Sequence, residues 1–506
     1  MSDESVQTAL RSDAPFVVVE APAGCGKTTS GANYALDIAK AQSPHRLLVL
    51  THTHAACSVF ADRTQSVGSR VEIRTIDSVV AQIAAAYHSG LGLPADIASW
   101  VRQDHNNHAQ LAMKVAILLK RYPMIASSLA HRHGVVICDE HQDSSGDQHS
   151  IVMALHARGA KLRIFGDPMQ KIFKDEPVIG GHPAYEWSEL LGQAHSSERL
   201  DVPHRWKNGC QYLGQWTLAA REELKAGRPV NLRNGLPPSV TVVFVENRSQ
   251  SPLGFQVSSD ERKEIDAFEK SQTSLLILSR YNPTTQALRS FFNRRIQLWE
   301  GHTRLELDKL VQAVTKANGD CSLLVSAICS FMGRIGTGFS ASAFGTQFEK
   351  EVRDGCARKA KGKPAAIQEL GRLLLAEPNH RGVAKVLCRI SEFAAKNPSF
   401  SNIKIDRYKE FWEAIRLGDY ETPEIGLAEI THRRAYSRPK PPDKAISTIH
   451  KAKGLECDST ILLHCDAKSF PDEWEARCLL YVALSRAKNR LMIVASRQYP
   501  SPLLSI

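Results

Sequence analysis

Val135-Val136-Ile137-Cys138-Asp139-Glu140-His141-Gln142-Asp143 decides the fold. The first four residues form an apolar run that reads as a buried parallel strand. A strand delivering Asp-Glu at its C-terminal tip is how phosphoryl-transfer sites hold Mg²⁺ and aim a water. The Gln-Asp that follows narrows the class. Upstream, Ala21-Pro22-Ala23-Gly24-Cys25-Gly26-Lys27-Thr28 sits between an apolar run, Phe16–Val19, and a helical pattern from Gly31 to Gln42. Backbone N–H groups of such a loop, with the helix N-terminus behind them, cradle phosphates. Residues Ala23 to Thr29 are therefore the expected nucleotide cradle. Lys27 is expected to reach the β- and γ-phosphates, Thr28 and Asp139 to ligate Mg²⁺, and Glu140 to deprotonate the attacking water.

Working outward, strand patterns recur at Leu47–Thr51 and Leu162–Phe165, and residues 78–131 turn Ala-rich and helical. A second set of strands is expected at Val240–Val245, Leu275–Leu278, Thr460–Leu463 and Leu491–Val494. A helical stretch lies between them, with Leu307, Leu310, Val311 and Val314 on one face and Val383, Leu387, Ile390 and Ala394 on another. Gly333–Gly345 reads as a flexible connector and Arg433–Lys444, with Pro439, Pro441 and Pro442, as a basic linker. The expected class is α/β: two RecA-like parallel sheets, each with a helical insertion. The expected division is 1–77 with 132–200 and 201–300 with 438–506 as the two ATPase domains, and 78–131 and 301–437 as the insertions.

Bulk properties agree with that reading. The chain has 506 residues, 43% hydrophobic and 23% charged, as in soluble globular proteins. No apolar run approaches the roughly 20 residues of a membrane span. The polar, acidic start Met-Ser-Asp-Glu-Ser is not a secretory signal. Eleven cysteines without a Cys-x-x-Cys pair exclude a zinc ribbon and a disulfide framework, and point to reduced thiols in the cytoplasm. Cys465, Cys478 and His464 read as buried structural groups. A net charge of +11 suits a polyanionic partner.

With these motifs in order, the chain resembles the UvrD/Rep/PcrA group of superfamily 1 DNA helicases nearly end to end. The resemblance implies ATP and Mg²⁺ as cofactors, single-stranded or partly duplex DNA as partner, and 3′→5′ movement. It implies that Gln7 reads adenine and that Thr51, His52, Thr53 and Thr75 lie on the DNA side. Gln142 and Gln170 (in Gly166-Asp167-Pro168-Met169-Gln170) link hydrolysis to motion. Arg280 and Arg486 become arginine fingers, Glu456 meets the ribose, and Thr448 and His450 join ATP to DNA. His204 and Arg205 fall in Leu200–Trp206, where the family favours a DNA-side tyrosine. His52 and His204 stand at aromatic positions, and no tryptophan follows the coupling motif until Trp187. The compact layout also resembles the UvrD-like subunit of the two-gene Gabija antiphage system, which implies an OLD-family nuclease partner.

Overall fold

The computed structural model describes residues 2–41, 46–103, 106–173, 178–248, 250–300, 304–340, 344–358, 360–436 and 441–506. The chain divides into two compact units, Met1–Tyr281 with Thr448–Ile506, and Asn282–Ser447.

In the first unit, β1 (Phe16–Glu20), β2 (Arg46–Thr51), β3 (Val71–Thr75), β4 (His133–Cys138), β5 (Lys161–Gly166) and β6 (Ser196–Arg199) form one sheet. Their order is β3-β2-β4-β5-β1-β6, and every pairing is parallel. The central strands read as unbroken apolar runs because both faces are covered. Side chains alternate across the sheet. Val17, Val19, Val49, Ile137 and Phe165 face α1 (Ser2–Arg11), α2 (Lys27–Lys40) and α3 (His54–Thr64), with Val6, Leu10, Ala35 and Phe60 in the same cluster. Phe16, Val18, Leu48, Leu50, Val136 and Ile164 face the opposite layer. That layer comprises α4 (Ile76–Ala86), α5 (Ile97–Gln103), α6 (Asn107–Arg121), α7 (Pro123–Arg132) and α8 (Gly146–His156). The helices of 78–131 thus share one core with the sheet through Val80, Ile83, Leu111, Val115 and Leu119.

The same unit contains a second sheet. Leu275–Ser279, Cys457–Cys465, Ala487–Ser496 and Val240–Asn247 lie side by side in that order, all parallel, and Phe255–Gln256 adds an antiparallel edge. Two parallel sheets flanked by helices make two RecA-like domains.

The second unit is helical around its own core. Leu307, Leu310, Val311 and Val314 are buried there, as are Val383, Leu387 and Ile390, with Ala394 at the margin. The expected connector differs from its reading over 333–338. Gly333 lies within the helix Cys321–Ile335, and Gly336–Thr337 pairs antiparallel with Lys404–Ile405. These glycines serve close packing: a Cβ at Gly336 would lie 2.5 Å from the Lys404 carbonyl oxygen, and one at Gly338 would strike that of Asn402. Residues 341–343 of that stretch, 437–440 of the basic linker, the boundaries at 301 and 438, Gln42, Lys174 and Asp175 lie outside the described residues.

All eleven cysteines are free thiols. Among the described residues, no helix is long and apolar enough to cross a membrane, and no cluster of three or more His, Cys, Asp or Glu side chains is placed to hold a metal.

Candidate nucleotide site

Beyond β1 the chain turns through Ala21–Gly26 with Gly24 at φ 77° and Gly26 at φ 84°, the left-handed region that favours glycine. Space demands glycine as well. A Cβ at Gly24 would lie 2.7 Å from both Arg205 Cβ and the Trp206 ring, and one at Gly26 would lie 3.1 Å from the His204 ring. Helix α2 starts at Lys27, so its unpaired N–H groups and positive dipole end point at this loop. Lys27 is 8% exposed, and its Nζ lies 2.5 Å from Glu140 Oε2. Burial works against the Lys27 charge, but Glu140 and Asp139 outweigh it and hold its pKa above the usual lysine value. The Thr28 hydroxyl donates to Asp139 Oδ2 at 3.3 Å.

Glu140 leaves the tip of β4 at φ 56° and ψ 37°, a conformation a non-glycine residue rarely adopts. Burial raises Asp139 above the ordinary carboxylate range; for Glu140, Lys27 and Lys453 overcome burial and lower it. Gln142 is a bridge. Its Nε2 donates to Glu140 Oε2 at 2.6 Å, and its Oε1 accepts from the Asp167 N–H at 3.0 Å. A Cβ on Gly166 would lie 2.9 Å from Gln142 Oε1 and 2.5 Å from the Trp187 ring, so glycine makes room for both. Trp187, absent from the position expected in sequence, reaches the coupling motif in space. Gln170 Nε2 donates to Asp167 Oδ2 at 2.9 Å, and its carbonyl accepts from Lys453 Nζ at 2.7 Å. Lys453 also grips both Asp143 oxygens at 2.6 Å, tying the end of the Asp-Glu-His-Gln-Asp stretch to the 448–456 loop.

Arg205 converges on the phosphate loop. Its backbone N–H donates to the Gly24 carbonyl at 3.0 Å, its guanidinium to the Ser485 carbonyl at 2.7 Å, and its Nε pairs with Glu456 at 2.8 Å. Glu456 also pairs with Lys488 at 2.9 Å. Tyr481 accepts from the Ala23 N–H at 2.8 Å through its hydroxyl. Arg486 is fully buried and donates to the Val482 and Leu455 carbonyls at 2.8 and 2.9 Å. Burial, and Arg205 beside it, lower its pKa to about 9. Arg280 donates to the Ser469 carbonyl at 2.6 Å; burial lowers the pKa of His450, Glu475 opposes that, and Arg280 adds a smaller lowering. Of the two arginines expected as fingers, Arg486 is electrostatically coupled to Arg205 and Glu140, whereas Arg205, expected on the DNA side, holds the loop itself.

The remaining expected residues are placed as follows. Gln7, on α1, accepts from Arg11 at 2.5 Å, and Asp3 on the same helix pairs with His204 at 2.6 Å. The Thr29 hydroxyl accepts from Arg63 at 2.5 Å. Thr51 donates to the Thr53 carbonyl at 3.1 Å. Thr53 and Thr75 cap α3 and α4 by accepting from Ala56 and Ser78. His52 joins a chain of hydrogen bonds through Ser144 to His141 and on to His149, at 3.1, 3.2 and 3.0 Å. Thr448 accepts from the Lys451 N–H at 3.4 Å, and His450 lies 6.2 Å from the Phe173 ring, itself 51% exposed. Sequence reading missed Arg221, whose buried guanidinium pairs with Glu20 and Asp167 at 2.7 and 2.6 Å, and Lys453 and Tyr481 as site members.

The donor set fits a magnesium nucleotide. Three cations, a helix N-terminus and a glycine cradle suit phosphates, and a hydroxyl beside a carboxylate offers the hard oxygens Mg²⁺ takes. Residues 3–175 match the AAA domain family, and residues 378–498 match the UvrD-like helicase C-terminal domain. No curated protein matches the chain. The two matches support a P-loop NTPase of the UvrD/Rep-type helicase superfamily. Such domains imply nucleotide and DNA binding, and they suggest an ATP-dependent DNA helicase or translocase.

Proposed function

We propose that the protein is an ATP- and Mg²⁺-dependent translocase or helicase on single-stranded or partly duplex DNA, moving 3′→5′. The observation that carries this is the phosphate loop itself, with Lys27 at its end and its Gly24 carbonyl bonded by the backbone of Arg205, which lies beside Arg486. Positive charge gathered there stabilises departing phosphates. In this reading Thr28 and Asp139 hold Mg²⁺, Glu140 takes a proton from water, and Gln142 and Gln170 relay the phosphate state. Gln7 and Glu456 contact the nucleoside. Arg205 takes the finger role with Arg486, because its backbone meets Gly24 of the loop and its charge lies beside that of Arg486. The DNA side comprises Thr51, His52, Thr53, Thr75, Thr448 and His450, with Phe173 as an exposed ring for base stacking. The functional division is 1–77 with 132–200, and 201–300 with 438–506, as motor domains, with 78–131 and 301–437 as insertions. Phosphate release measured with and without single-stranded DNA tests the reading. DNA should stimulate the wild type, binding should weaken as salt rises, and Glu140→Gln should abolish turnover. Turnover indifferent to DNA across a range of salt would sink it.

A second reading keeps the ATPase and makes it a cytoplasmic regulator of an OLD-family nuclease in antiphage defence. It is favoured by His204, which at an expected stacking position pairs with Asp3 beside the phosphate loop. Co-purification with a neighbouring nuclease whose cleavage depends on Lys27 would support it.

A further inference from the structure

A cavity of about 200 Å³ lies away from the nucleotide site, between α4, α7, α8 and the sheet. Its walls are apolar, with Val79 and Ile83 on α4, Leu129 on α7, and Ile151 and Leu155 on α8. Its polar side is formed by Glu72 in β3, His133 at the start of β4 and Arg132 before it, with Gln82 and Ser128 exposed at the rim. The Glu72 carboxylate is already matched by Arg74 at 3.3 Å and Arg132 at 3.1 Å. His133 is matched at Nε2 alone, toward Glu72. It is 4% exposed, and its Nδ1 is buried with no hydrogen-bond partner among the described residues. A buried polar atom without a partner is costly, and native sites seldom leave one.

The tautomer decides what the atom wants. Burial disfavours the charged form of His133 and lowers its pKa, with Glu72 opposing. Glu72 Oε2 lies 3.7 Å from Nε2 and favours the proton there. Nδ1 then presents a lone pair and accepts. The volume sets the size, since an apolar cavity of about 150 Å³ holds benzene. The apolar walls disfavour a charged ligand, and Glu72 and Arg132 on the polar side are already paired with each other. We infer that this cavity binds a small neutral aromatic molecule carrying one N–H or O–H donor, held by His133 Nδ1.

The test uses the full chain with indole and its donor-less isostere indene as probes, followed by ligand-observed NMR and calorimetry. Indole should bind saturably and about three- to tenfold more tightly than indene, the difference one hydrogen bond makes. Ala86→Trp and Ser128→Trp, at exposed positions on the cavity wall, should remove binding while leaving the thermal midpoint near wild type. His133→Phe should abolish the preference for indole. Absence of saturable indole binding, equal affinity for indene, or binding undisturbed in both tryptophan variants would each overturn the inference.

Discussion

Truncating Arg205 separates the geometric assignment of the finger from the one made by motif order. Its side chain makes two charge-assisted contacts, to the Ser485 carbonyl at 2.7 Å and to Glu456 at 2.8 Å. Each such contact is worth roughly 1.5–3 kcal/mol when desolvated. The Glu456 side chain is 43% exposed and keeps Lys488, so its share is small. Arg205→Ala should therefore destabilise the fold by about 2 kcal/mol. The catalytic effect should be larger. A finger contributes roughly 10³–10⁵ in rate, and with Arg486 still in place the lower figure applies, about 4 kcal/mol of barrier. Arg280→Ala removes a contact to the Ser469 carbonyl and should leave turnover within about tenfold. Arg205→Lys keeps the charge, loses the planar fork and should fall between wild type and Arg205→Ala. The assay is phosphate release at saturating Mg-ATP and single-stranded DNA, with folded fractions checked by thermal melting. A loss near a thousandfold in Arg280→Ala, with Arg205→Ala within tenfold of wild type, would refute the reasoning.

Two further outcomes follow from the same geometry. Burial lowers His149 to about 4, against about 6.5 in an unfolded chain, so the unfolded state binds the extra proton between those values. Stability from this group is present at neutral pH and is lost as pH falls, at about 1.4 kcal/mol per unit below pH 6.5. Urea midpoints of wild type and His149→Gln should diverge across that window, and parallel curves from pH 7 to 5 would count against it. Gly166→Ala should force Trp187 and Gln142 apart, at about 1–3 kcal/mol of stability and with at least about tenfold slower phosphate release. A variant that melts and turns over like wild type would show that the contact is slack.

The legible part of the molecule is the part where ligand groups stand within a few residues of an apolar strand. β1 announces the phosphate loop and β4 announces Asp139 and Glu140, because a buried parallel strand is a continuous apolar run and its tip is the ligand edge. Three things escaped this signal. The left-handed turn at Glu140 leaves no trace in residue type. The packing of the 78–131 helices on the sheet leaves no trace either, because local periodicity does not say which partner a helix face covers. Arg205 escaped for a third reason. It follows β6, which is Ser-Ser-Glu-Arg, an edge strand with no apolar residue to betray it. Yet β6 pairs in parallel with β1, Val19 opposite Glu198, so both strands end on the same edge of the sheet. The residues after β6 must then emerge beside the residues after β1, and those are the phosphate loop. The strand-tip rule that located Lys27 would have located Arg205 as well. What it lacked was a strand that looked like one. Motif order records which cations a chain carries, but the pairing of a polar edge strand decides which of them emerges beside the phosphate loop.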